Sequence, residues 1–169
     1  MRHQDTFSGF IDVSGDSGFE YCYLRDFPLS IDVLGKLGVK GFLKKFRSSN
    51  FHENQDLTVN DLLSMSAFYS PDPGEELRIK LPFDLSTGKV HDHVWGQLKE
   101  WTHCAMSSII SLVLKKIKII LQKGSHDEFS INTGINGISQ IMKEKEIDHC
   151  SVHYDAGHFG IYYMYKDSV

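Results

Sequence analysis

The stretch from residue 117 to 154 constrains the fold more than any other part of the chain. Ile117, Ile119, Ile120 and Leu121 form an apolar, β-branched run bounded by Lys115-Lys116 and Gly124. That run is too apolar on both faces for a surface strand and suits the middle of a parallel sheet. Ile131, Ile135, Ile138 and Met142 then recur at spacings of four, three and four, which marks one face of a helix, with Ser130 placed to cap it. Gly134 and Gly137 each cost such a helix about 1 kcal/mol, so packing must outweigh them. Cys150, Val152 and Tyr154 alternate with Ser151 and His153 as another strand. Strand, helix and strand in that order make a βαβ unit, which calls for parallel pairing and a crossover that is nearly always right-handed.

Upstream, Phe10, Ile11 and Val13 run into Ser14-Gly15-Asp16-Ser17-Gly18, an apolar run ending in turn chemistry and predicted as a further strand. From Pro28 onward, Leu29, Val33, Leu34 and Leu37 recur at helical spacing before Gly38 and Gly41 interrupt, so this region is predicted as helical and broken. A polar stretch at 48–55 separates it from residues 57–69, and Ser70-Pro71-Asp72-Pro73-Gly74 forces a turn. Residues 81–88 read as an ordered loop. Val94, Leu98 and Trp101 mark one face of a short helix that Asp92 caps, with Trp95 and Trp101 assigned to core or cap. The expectation is one α/β domain over residues 1–169, with about three parallel strands, flanking helices and an inserted helical and loop region at about 25–105.

With 41% hydrophobic and 24% charged residues, the composition is that of an ordinary globular chain. A net charge of −4 supplies no basic surface for phosphate backbones, so nucleic acid is not an expected partner. Lys115, Lys116 and Lys118 flank an apolar stretch, and Lys143 and Lys145 alternate with acids, as solvated helix ends do. Cys22, Cys104 and Cys150 are odd in number and widely spaced, which suggests neither a disulfide framework nor a CxxC metal site and fits a reducing compartment. The polar N-terminus lacks the apolar centre of a signal peptide. The apolar patch at 109–114 stops at two lysines, far short of the roughly 20 residues that span a bilayer. The expected location is cytoplasmic, with no membrane partner and no cofactor.

In open α/β sheets, chemistry gathers beyond the carboxyl ends of the strands. Two polar loops therefore share one address: Gly124-Ser125-His126-Asp127-Glu128, and the loop holding Asp155, Gly157, His158 and Phe159. A carboxylate after one strand and a histidine after the next can meet across parallel strands about 4.8 Å apart, which picks out Asp127 and His158. In triad chemistry such an acid fixes the imidazole tautomer while the other ring nitrogen takes the serine proton. In the order Ser, Asp, His these are the last two members. The bland alternative is two solvated loop residues, since nine histidines and 22 acids make a coincidence easy. His91 and His93, with His103 or Cys104, have some look of zinc ligands, but a fourth ligand is missing at recognisable spacing and no metal is expected. Gly15-Asp16-Ser17-Gly18 matches a chymotrypsin-type motif without the all-β pattern those proteases need. His149 and His153 are assigned to one strand face, and His126 to shaping its loop.

Residues 117–165, with Gly124-Ser125-His126-Asp127-Glu128-Phe129, the isoleucine-rich helix and Tyr154-Asp155-Ala156-Gly157-His158-Phe159, resemble the end of the α/β-hydrolase esterases related to enterochelin esterase and S-formylglutathione hydrolase. Ser14-Gly15-Asp16, Phe19-Glu20-Tyr21-Cys22-Tyr23-Leu24, Asp26-Phe27-Pro28, Ala67-Phe68-Tyr69-Ser70-Pro71 and Leu81-Pro82-Phe83-Asp84-Leu85-Ser86-Thr87-Gly88 resemble, in order, pieces of one esterase branch. The likeness spans nearly the whole chain. It implies the C-terminal part of an α/β-hydrolase fold, with Asp127 as triad acid and His158 as triad histidine. It also implies that Asp16, Phe19 and Tyr21 of the 19–23 loop, and Phe159, lie near the substrate.

The departures from that family are as informative. No Gly-x-Ser-x-Gly occurs: Ser17 has Gly15 two before it but Phe19 two after, and Ser14 has Asp12 two before. Where the family has an Asp-Pro-like step, this chain has Cys104-Ala105. By the resemblance, Met1 falls just after the helix behind the nucleophile elbow, so the serine, the oxyanion loop and five strands would precede it. The expectation is the C-terminal portion of a serine esterase acting on small acyl esters or thioesters, inactive alone. Loss of the nucleophile costs serine proteases about six orders of magnitude in turnover, or about 8 kcal/mol. The alternative is a non-catalytic α/β remnant or association module. An open apolar strand edge would favour self-association or pairing with an N-terminal half.

Overall fold

In the computed structural model, which describes residues 8–112 and 117–163 except for the side chains of 103–112, three strands run parallel in one open sheet. They are β1 (Gly9–Val13), β2 (Lys118–Gly124) and β3 (Cys150–Tyr154), in the order β1-β2-β3. The helices are α1 (Phe19–Cys22), α2 (Phe27–Ser48), α3 (Asn54–Tyr69), α4 (Asp92–Leu112) and α5 (Ile131–Glu144). The chain divides into two compact units, Met1–Cys22 with Thr102–Val169, and Tyr23–Trp101.

The first unit holds the sheet, with flanking helices α1 and α5. Val13 pairs with Gln122 and Gly124 with Tyr154, so the loops after all three strands leave from one end. Ile119 and Leu121 of β2 are buried, as are Ile131, Ile135, Ile138 and Met142 of α5, and these apolar faces supply the burial that drives helix onto sheet. Lys123 on β2 is buried too, and its ammonium donates to Asn136 of α5. Burial pushes its pKa below the usual lysine range.

Gly134 changes meaning once the packing is known. A Cβ there would stand 1.6 Å from the Ser17 carbonyl oxygen, so the glycine lets the loop after β1 run against α5, and its helix-propensity cost is the condition of that contact. Gly137 has open space around it. The expected Ser130 cap is corrected as well. Ser130 takes a left-handed conformation (φ 60°) and makes no side-chain cap; Asp127 Oδ1 accepts the N–H groups of Phe129 at 3.0 Å and Ile131 at 3.3 Å instead. The segment 19–22, read from the sequence as a loop, is the short helix α1.

The second unit is built from α2, α3 and the start of α4. Its core gathers Leu34, Val39 and Phe42 from α2 with Val59 and Leu63 from α3. Helix α2 breaks at Gly38 (φ 66°), while Gly41 stays helical. Phe27 meets Phe83 and Trp95 edge-on at 4.9 and 5.2 Å. Lys45 bonds Asp56 at 2.9 Å and holds its carboxyl below the usual range. Asp84 Oδ1 accepts the N–H groups of Ser86 and Thr87 at 2.9 and 2.7 Å, which closes the loop over 84–87 as an Asx turn. The helix expected to be short runs 21 residues as α4. Val94, Trp95 and Leu98 are buried on it, but Trp101 is 52% exposed against Phe68 and Tyr69, neither core nor cap. No helix among the described residues is long and apolar enough to cross a membrane.

Candidate active site

The loops after β2 and β3 are laced together before any side-chain chemistry begins. Ser125 donates its N–H and its hydroxyl to the Tyr154 carbonyl at 2.8 and 2.9 Å, and the His126 N–H donates to Ala156 at 3.0 Å. These bonds continue the β2–β3 ladder past its last residue pair, so the residues beyond it stand on a fixed frame. His126 Nε2 donates to Asp155 Oδ1 at 2.9 Å on the exposed surface.

Asp127 and His158 meet in that frame. Asp127 Oδ2 lies 3.0 Å from His158 Nδ1, with the carboxylate side chain fully buried and the imidazole 28% exposed. An ionised carboxylate only accepts, so Nδ1 carries the proton and Nε2 is left to accept. Oδ1 holds the first turn of α5, so both oxygens are used and the carboxylate cannot rotate. The hydrogen bond that His158 donates to Asp127 raises its pKa above the ordinary value; burial opposes the rise, and the charges of Asp127, Asp16 and Glu128 add to it. Such a histidine, polarised on one nitrogen and with no partner on the other among the described residues, is equipped to take up and return a proton.

Of the residues singled out from the sequence, the structure brings together Asp127, His158 and Phe159, and sets Asp16 where its charge acts on the imidazole. Phe159 is 65% exposed and stands edge-on to His158 at 5.3 Å. Phe19 is an interior anchor of α1, and Tyr21 is half exposed beside Gly18. Two neighbours escaped the sequence reading. Phe129 stands edge-on to the imidazole at 5.1 Å, and Glu128 Oε2 accepts the His158 backbone N–H at 2.7 Å. A glycine beside the histidine was the available hint for Glu128, because a side chain at 157 would collide with that carboxylate.

Other histidines are accounted for by neighbours. His149 precedes β3; its Nδ1 donates to the Ile147 carbonyl at 2.9 Å and its Nε2 accepts from Ser139 at 2.8 Å. His91 Nδ1 bonds the Leu81 carbonyl at 3.2 Å. The side chains of His103 and Cys104 lie outside the described residues, and among the described ones no group of three His, Cys, Asp or Glu is placed to hold a metal. Ser14 and Ser17, in the loop after β1, are buried with hydroxyls that lack a partner among the described residues. Comparison with known proteins finds no protein-family model and no curated protein that matches this chain.

Proposed function

We propose that this chain supplies the acid and the base of a serine hydrolase of the α/β-hydrolase type, one acting on small acyl esters or thioesters. A single observation carries the reading: a fully buried carboxylate bonded at 3.0 Å to Nδ1 of a partly exposed histidine, at the carboxyl ends of adjacent parallel strands. In this reading Nε2 of His158 takes the proton of a serine hydroxyl and passes it to the leaving group. Asp127 holds the tautomer and stabilises the imidazolium. Phe159 and Phe129 wall the imidazole, and the charge of Asp16 acts on it.

The nucleophile comes from outside these 169 residues, because no Gly-x-Ser-x-Gly is present and the two serines after β1 are buried away from solvent. The edge of β1 is where a polypeptide bearing the elbow would add its strand, since β2 is the only ladder partner of β1 among the described residues. That same edge, with Ile11 exposed, supports the second reading, an association module without chemistry of its own. A fluorophosphonate probe decides between them. The chain alone stays unlabelled; co-expressed with an elbow-bearing N-terminal esterase segment, it yields a labelled serine, and His158→Ala abolishes that labelling. A complex that forms yet never labels would leave only the association module.

A further inference from the structure

We propose that Glu128 is a positioning residue for His158: its carboxylate seats the main chain from which the imidazole projects and places a further negative charge beside that of Asp127. The assignment rests on the proton-transfer role given to His158 above.

Three consecutive residues after β2 grip the loop after β3, and each grips something different. His126 holds the Asp155 side chain, Asp127 holds the His158 ring, and Glu128 holds the His158 main chain, accepting its N–H at 2.7 Å. A ring bonded through one nitrogen alone still swings about that bond. Fixing the backbone as well leaves χ1 and χ2 with one arrangement that satisfies both. Gly157 makes the grip feasible, since a Cβ there would stand 2.4 Å from Glu128 Oε1.

The charges act together. Three carboxylates act on the imidazole through their charge: Asp16 from the loop after β1, and Asp127 and Glu128 from the loop after β2. Each favours the imidazolium, the form that a general base passes through in the middle of its cycle.

The test is an NMR titration of the His158 ring nitrogens in the whole chain, as wild type, Glu128→Gln and Glu128→Ala. Glu128→Gln keeps an acceptor oxygen, so the Nδ1–H resonance bonded to Asp127 persists while the His158 pKa falls. Glu128→Ala removes the seat as well, so the pKa falls and that resonance broadens or is lost. Titration curves and Nδ1–H signals superimposable on wild type in both variants overturn the proposal. Should Glu128→Ala fail to fold, the pKa of the near-isosteric Gln variant decides alone. A complex that never labels with fluorophosphonate sinks the hydrolase reading and leaves these curves standing; unchanged curves sink the role of Glu128 and leave labelling untouched.

Discussion

At position 127 one carboxylate serves a helix and a ring at once, Oδ1 taking the amides of Phe129 and Ile131 and Oδ2 taking the His158 imidazole. Removing it strands buried donors on both sides, and bonds to charged groups are worth about 1.5–3 kcal/mol each. Part of that contribution depends on pH. The folded pKa of His158 is raised from 6.5, so the charge-assisted part of the pair is fully present below the unfolded value and is lost as pH rises through the folded one. Asp127→Ala should therefore cost about 3 kcal/mol near pH 5.5 and less once the ring is neutral, where the helix-end bonds and the uncharged Nδ1–H bond remain. Urea denaturation across that range measures it, and a cost independent of pH would contradict it. The address of this pair was legible in the sequence, because strand, loop, helix and strand deliver residues 127 and 158 to one end of a parallel sheet. The second task of Asp127 was not. Ser130 stands directly before the helix, where an N-cap belongs, and only the left-handed turn at that residue hands the task to Asp127.

Helix α5 separates two glycines that look alike in the sequence. Gly137→Ala meets open space and should stabilise by up to about 1 kcal/mol. Gly134→Ala drives a methyl group into the Ser17 carbonyl and should destabilise by about 2 kcal/mol or more, since overpacking outweighs propensity. Thermal unfolding of the two variants should move in opposite directions, and equal shifts would mean that the contact with Ser17 is slack. The strands were readable because apolar runs bounded by turn residues leave few alternatives. The helix α1 was not, since four residues after a glycine carry no period. The length of α4 was hidden by Gly96 and by an exposed Trp101, which breaks the apolar face that periodicity looks for.

At the scale of the molecule, the parallel sheet has edges among the described residues, and β1 carries an exposed Ile11 along one of them. Unpaired edges template further pairing, so the chain should self-associate with rising concentration, and Ile11→Lys should weaken that association. Light scattering coupled to size exclusion reads the outcome, and a monomer at every concentration would refute it. The two-unit division also sets a schedule. The chain leaves the sheet unit at Cys22 and re-enters it at Thr102, so β1 waits for a partner, β2, that comes after the entire helical unit. Closing so long an excursion adds little to the equilibrium cost, about 0.6 kcal/mol for each doubling of length. It weighs more on timing, because distant pairings form late. On a ribosome, β1 emerges well before β2, so the pairing of these two strands waits until the whole helical unit has been made, and an open strand edge in that interval invites aggregation.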